Sequence, residues 1–227
     1  MHKEILNENQ LNLLPLLKSF KREFYLVGGT AIALHIGHRA SIDFDLFKQN
    51  HFVTSKVLAK IQTHKLNYKI TRNVSEQLNL IISDVKFTFF EYPFAINPEV
   101  KFEDYIKTPT LLDLAAMKAY ALGRRAKWKD YVDLYFIIKS YYAVNEIIKR
   151  SEEIFGELFS EKLFRAQLSF HKDIDYTEPI DYITEPVDDD IIKNFLIKKS
   201  ISISEYQLSG KGASYDVEQF GRDVLLS

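Results

Sequence analysis

The segment Gly28 to Phe47, GGTAIALHIGHRASIDFDLF, constrains the chain more than any other. A Gly-Gly pair ends the apolar run Phe24 to Val27, which reads as a short buried strand. Ala31 to Ile36 then fits a short helix, and Gly37 supplies its left-handed cap. After His38 and Arg39, residues Ile42 to Phe47 alternate apolar and acidic side chains with the period of a strand. Asp43 and Asp45 therefore share one strand face, about 6.5 Å apart. Their neighbours Ile42, Phe44, Leu46 and Phe47 are apolar, so the strand belongs to a core. Carboxylates there are costly unless a cation compensates them. A pair at this spacing can hold one or two divalent cations, which two-metal sites keep roughly 3.5 to 4 Å apart.

The turn before that strand adds a second half to the motif. A helix N-terminus leaves backbone N–H groups free, and phosphate oxygens bind well there. Thr30 offers a hydroxyl to the same turn, for a phosphate or as a helix cap. No Gly-Lys-Ser/Thr follows Gly28-Gly29, so this is not a Walker A loop. A phosphate cradle followed by Asp-x-Asp points to phosphoryl or nucleotidyl transfer.

Composition excludes several other classes. At 227 residues with 46% hydrophobic and 27% charged side chains, the chain suits one large globular domain or two small ones. It has no cysteine and hence no disulfide framework. No apolar run approaches the roughly 20 residues of a membrane span, and MHKEILNENQ lacks the pattern of a secretory signal. A cytoplasmic protein without a membrane partner is expected. The net charge of −1 argues against a uniform nucleic-acid coat, but charge is uneven. Lys118 to Arg150 holds eight basic and three acidic residues, whereas Asp173 to Asp190 holds eight acidic and no Lys or Arg. A basic face suited to phosphates and an acidic segment elsewhere follow.

The rest of the first half reads as mixed α and β. Gln10 to Phe20 is helical with a bend at Pro15, and Phe52 to His64 is an amphipathic helix. Strands follow at Tyr68 to Arg72, Leu78 to Ile82 and Val85 to Tyr92, the last two joined by a Ser83-Asp84 hairpin. At Thr108-Pro109-Thr110 the character changes. Thr110 and Asp113 have capping-box spacing and start a helix to about Arg125. Trp128 to Tyr142 is a second helix, and Asn145 to Leu168 supplies one or two more. Asp188 to Asp190 favour the N-terminus of a last helix, Ile191 to Lys199. Leu208 to Ser227 is a strand or a tail.

Other candidates for chemistry lie in both halves. His35, His38 and Arg39 at a helix end can meet phosphate, with Arg39 a structural or substrate-positioning cation. Lys118 sits among Leu114, Ala115, Ala119, Tyr120 and Leu122; it either snorkels to solvent or aims a cation at a triphosphate. Asp130 and Asp133 are i, i+3 neighbours, which alone read as a cap and a surface pair.

Together, GGTAIALHIGHRASIDFDLF, VKFTFFEYP and MKAYALGRRAKWKDYVDLYF resemble the AbiEii-type toxin nucleotidyltransferases, a branch of the polymerase-β-like nucleotidyltransferase superfamily, over about Leu26 to Ile137. The resemblance implies that Gly28, Gly29 and Thr30 hold nucleotide phosphates and that Asp43 and Asp45 ligate Mg²⁺ or Mn²⁺. It likewise implies that Lys118 contacts the phosphates and that Lys129 with Asp130 lines the same cleft. Family members are bacterial toxins or abortive-infection proteins, usually paired with an antitoxin, and some transfer nucleotides to transfer RNA. One departure is sharp. The superfamily commonly places a third carboxylate on a neighbouring strand, and the corresponding position here is Thr88. A hydroxyl is a poor base. Glu91, three residues on, points to the opposite strand face, so the site works with Asp43, Asp45 and a helical aspartate such as Asp130, or catalysis is impaired.

The expected architecture is an α/β (α+β) nucleotidyltransferase core with a mixed sheet, residues 1–107, followed by a helical domain with an acidic C-terminal segment, residues 108–227. The expected reaction moves a nucleoside monophosphate from a nucleoside triphosphate to an RNA 3′ end, most plausibly that of tRNA. Transfer to a small molecule or protein, and a degenerate nucleotide-binding protein acting through a partner, are the alternatives.

Overall fold

The computed structural model describes residues 1–202. The reading of Leu208 to Ser227 lies outside them. The described residues form a mixed α/β fold with a five-stranded sheet, a two-stranded ribbon and nine α-helices.

The N-terminal helical stretch is broken where Pro15 demands a new first turn, giving α1 (Glu8–Asn12) and α2 (Leu14–Ser19). Strand β1 (Tyr25–Val27) runs into α3 (Gly28–Ile36), which begins at Gly28 itself, earlier than the apolar pattern predicts. Gly37 closes α3 in the left-handed region at φ 68°, its N–H donating to the Ala33 carbonyl at 2.7 Å. Strand β2 (Phe44–Lys48) follows, then α4 (Thr54–Thr63), β3 (Lys69–Val74), β4 (Gln77–Ile82) and β5 (Val85–Glu91). The Ser83-Asp84 turn has φ values of 49° and 62°, the positive pair of a tight hairpin whose twist matches its strands.

The sheet order is β1-β2-β5-β4-β3; β2 and β5 are parallel and every other pair is antiparallel. Its two faces differ. Phe44, Leu46, Leu78, Leu80, Phe87 and Phe89 are fully buried on one. Phe20 and Phe24 pack edge-on against Phe89 there, at 4.9 and 5.2 Å between ring centroids. The other face carries a polar row across the strands, Asp45 opposite Thr88 and Thr88 opposite Asn79.

The ribbon β6 (Val100–Phe102) and β7 (Ile106–Thr108) was not foreseen, because three-residue strands are too short for alternation to register. The chain then becomes helical: α5 (Leu111–Leu122), α6 (Trp128–Ser140), α7 (Val144–Phe155), α8 (Glu161–Ser169) and α9 (Asp189–Ser200). Thr110 caps α5 by accepting the Asp113 N–H at 3.1 Å. Only half of a capping box forms, since the Asp113 carboxylate turns to Arg150 at 2.6 Å. Asp188 caps α9 through the Asp190 N–H at 2.8 Å. One apolar core runs without interruption from Ile5 to Leu196, and α3 packs against both α5 and α6. That packing brings the helical half to the motif of the first half. Among the described residues no helix is long and apolar enough to cross a membrane.

Candidate active site

Asp45 lies in β2 and Asp43 immediately precedes it, at the end of β1 and the start of α3. Val27, the residue before Gly28, pairs directly with Asp45. Gly28 has φ 73°, and a Cβ there would collide with the Asp45 carboxylate. A Cβ on Gly29 would come within 2.6 Å of the Arg39 guanidinium. Glycine is required at both positions by close approach, and at Gly28 also by backbone conformation. No side chain caps the α3 N-terminus, so its first N–H groups open beside the carboxylates, where an anion is favoured.

Thr30 takes a different part from the one its position suggests. It is 1% exposed, and its hydroxyl donates to the Asp43 carbonyl with Ser41 Oγ 2.9 Å away. It holds the loop carrying Asp43 and does not face a phosphate.

The two carboxylates are only partly compensated by their surroundings. Burial, then the charge of Asp43, push the Asp45 carboxyl up, with the Thr88 hydroxyl as the hydrogen bond that opposes this. Burial also raises Asp43, against the pull of Lys86, Lys129 and Lys127. The strand register puts Thr88 directly opposite Asp45, where a third carboxylate is expected from the sequence. Glu91 lies away from that row and meets His51 at 3.0 Å. Among the described residues no group of three or more acidic or histidine side chains is gathered for a metal. Asp43 and Asp45 nevertheless fit a divalent cation as a two-carboxylate set: both pay for charge that a cation would neutralise, and substrate phosphate oxygens can complete the shell of Mg²⁺.

Lys118 and Asp130 are corrections of another kind. Lys118 is 6% exposed; its ammonium pairs with Asp130 and lies 2.9 Å from Asp133. Asp130 is buried and also accepts from Arg125 Nε at 3.1 Å. With both charges engaged, Lys118 has no free ammonium for a phosphate and Asp130 is no free base. Asp133, read from sequence as a surface residue, is the hub of this cluster and is wholly buried. It accepts Arg39 Nε at 2.7 Å and Arg39 Nη2 at 3.0 Å, a two-point clamp, together with His38 Nε2 at 2.8 Å. Burial pushes its carboxyl up, but Arg39 and Lys118 outweigh burial and hold it well below the ordinary range. Arg39 is accordingly a structural cation, 2% exposed. Burial lowers the His38 pKa despite Asp133, so the neutral ring donates from Nε2, leaving Nδ1 without a partner. His35 turns to the Pro109 carbonyl at 3.1 Å. Neither histidine faces the Asp43–Asp45 pair.

The cations that do surround the carboxylates are Lys86, Lys127, Lys129 and Arg125. Lys129 was expected from the sequence. Lys86 lies two residues before Thr88 in β5, and period-two counting along that strand would have found it. Lys127 and Glu178 were missed; Glu178 comes from the acidic stretch and pairs with Lys129 at 3.0 Å. Only tertiary folding brings it there.

Residues 16–103 match the family model described as nucleotidyl transferase AbiEii toxin, type IV TA system. That stretch contains Gly28, Gly29, Asp43, Asp45 and Thr88. An uncharacterized protein of Aquifex aeolicus (strain VF5) is 34% identical over 126 residues, covering 52% of this chain and 59% of the relative. The chain thus spans less than two thirds of that relative's length. Two solved structures share the fold. MenT4, a nucleotidyltransferase toxin from Mycobacterium tuberculosis H37Rv, aligns with TM-score 0.57 and 14% identity over 96% of this chain and 90% of its own. JHP933 from Helicobacter pylori aligns with TM-score 0.53 and 17% identity over 97% and 98%.

Proposed function

We propose that this protein is a metal-dependent toxin nucleotidyltransferase that transfers a nucleoside monophosphate from a nucleoside triphosphate to an acceptor RNA 3′ end, tRNA being the favoured acceptor. The observation that carries this is the partly compensated Asp43–Asp45 pair set against the open N-terminus of α3. Bound Mg²⁺ or Mn²⁺ would supply charge neutralisation at the transferring phosphate. Asp43 and Asp45 would hold it, while the Gly28 and Gly29 backbone N–H groups and Lys129 orient the phosphates. The RNA acceptor is supported by the family match and by the excess of basic residues between Lys118 and Arg150. A cognate antitoxin and a cytoplasmic site of action complete the reading, in keeping with the toxin family.

The test is incubation of the protein with Mg²⁺, each labelled nucleoside triphosphate in turn, and total bacterial RNA. Label is expected in RNA, and Asp43→Ala or Asp45→Ala should lower its incorporation by at least about 10²-fold. RNA binding should weaken steeply as salt rises. Label in a protein or small molecule would replace the acceptor. Thr88 opposite Asp45 favours a second reading, a degenerate nucleotide-binding protein that acts through a partner. Absence of any label, with toxicity unchanged by Asp43→Ala, would establish that reading instead.

A further inference from the structure

The acidic stretch crosses from residues 126–128 at the start of α6 to residues 38–40 after α3. At one end the Asp175 N–H donates to the Ala126 carbonyl at 2.7 Å, and the Trp128 N–H to the Asp175 carbonyl at 3.0 Å. At the other end the Ala40 N–H donates to the Asp181 carbonyl at 2.7 Å, and the Ile183 N–H to the His38 carbonyl at 3.1 Å. Between these anchors Glu178 places one carboxylate oxygen on Lys127 and the other on Lys129, the latter at 3.0 Å. Hydrogen bonds from the two lysines hold its carboxyl down at about 2, so it is fully charged at neutral pH. The same three side chains all act on Asp43: the lysines lower its carboxyl and Glu178 raises it. An anion is thus already seated on two of the cations whose charge reaches Asp43.

We propose that Glu178 is the resident counter-anion of the triphosphate seat, holding Lys127 and Lys129 in the empty site and yielding them when a polyphosphate binds. This rests on the nucleotidyltransferase reading above. A polyphosphate carries several negative charges and many acceptor oxygens, so it outcompetes one carboxylate for two flexible ammonium groups. The strap is tied on both sides of Glu178 by backbone hydrogen bonds, so the side chain can swing away while Asp175 and Asp181 stay anchored. Glu178 therefore sets how much of the lysines' attraction reaches the ligand. Its removal should tighten binding in proportion to ligand charge and leave uncharged ligands untouched.

Calorimetric titration of the full chain with inorganic tripolyphosphate in the presence of Mg²⁺, and separately with adenosine, tests this. Glu178→Gln should bind tripolyphosphate about threefold to tenfold more tightly than the parent protein, since each partly exposed pair is worth a fraction of the 1.4 kcal/mol that makes a tenfold change. Adenosine binding should not change. In a Lys127→Gln, Lys129→Gln background the same substitution should bring less than about a twofold gain. Equal or weaker tripolyphosphate binding by Glu178→Gln overturns the proposal, as does an undiminished gain in the lysine-free background. Glu178→Ala, with thermal unfolding as a check on folding, should repeat the Gln result. If the parent protein binds tripolyphosphate and no variant gains, only the role of Glu178 fails. If no form binds it at millimolar concentration, the nucleotidyltransferase reading fails as well.

Discussion

Asp45 and Asp133 are both aspartates withdrawn from bulk water, yet their surroundings are opposite. Asp133 is wrapped by Arg39, Lys118 and His38, and its carboxyl is held well below the ordinary range. Asp45 has another carboxylate for a neighbour, and burial with that neighbour outweighs the relief from Thr88, Lys86 and Arg125, so its carboxyl is pushed up. Buried charge that the fold has already neutralised holds elements together. Buried charge that the fold leaves unneutralised is free to take a cation, and that contrast separates architecture from chemistry more reliably than residue type.

The largest effect should come from Asp133. Asp133→Asn leaves Arg39 and Lys118 buried with Asp130 as their remaining carboxylate, and stability should fall by about 3 to 5 kcal/mol in urea unfolding. The sign with pH is definite. A depressed carboxyl contributes stability above its ordinary pKa and loses it as pH falls through the folded value. The parent's advantage over Asp133→Asn should therefore be complete at neutral pH and shrink only in strong acid. A cost below about 1 kcal/mol would mean that the cluster is not the clamp described.

At Asp45 the sign reverses. A raised carboxyl contributes stability below its ordinary pKa and loses it as pH rises through the folded value. In a chelator at neutral pH, Asp45→Asn should therefore be more stable than the parent by about 1 kcal/mol, roughly 2 to 4 °C in Tm. The gap should close as the pH falls through the raised range of the Asp45 carboxyl. Mg²⁺ or Mn²⁺ should raise the parent's Tm through binding to the native state and leave Asp45→Asn nearly unmoved. Loss of stability in Asp45→Asn without metal, or an equal metal response in both proteins, would remove the distinction between the two aspartates.

The same contrast explains what the sequence could disclose. The placement of Gly28, Gly29 and Asp45 together was legible because it follows from local rules, a turn and a strand period. The mixed sheet and the helical second half were legible from periodicity, and the sheet register was needed to confirm that Thr88 stands opposite Asp45. Arg39 was open between two roles and Lys118, Asp130 and Thr30 lie elsewhere than expected, because residue type alone cannot say whether a charge or hydroxyl meets a ligand or another side chain. Arg39 meets Asp133 across 94 residues of chain, and Lys118 meets Asp130 across 12. Glu178 and Lys127, 51 residues apart, carry no local signal at all.

Thr88 gives the smallest and most discriminating effect. Its hydroxyl, on the residue paired with Asp45, opposes the rise of that carboxyl, so Thr88→Val, nearly the same in shape, should push Asp45 further toward the neutral acid. Loss of one hydrogen bond to a charged group should lower chelator-state stability at neutral pH by about 1 kcal/mol. Thr88→Asp makes the opposite change, adding a carboxylate at the register position facing Asp45. Without metal a third like charge should destabilise the protein more than Val does. With Mn²⁺ the order should invert, because three carboxylates bind a divalent ion better than two. An inversion on metal addition means that the polar row of the sheet is shaped for a cation and that Thr88 tunes its affinity. If Thr88→Asp stays the less stable of the two with and without Mn²⁺, the row does not converge on a cation, and Asp45 is nearer in kind to a strained structural carboxylate than to a ligand.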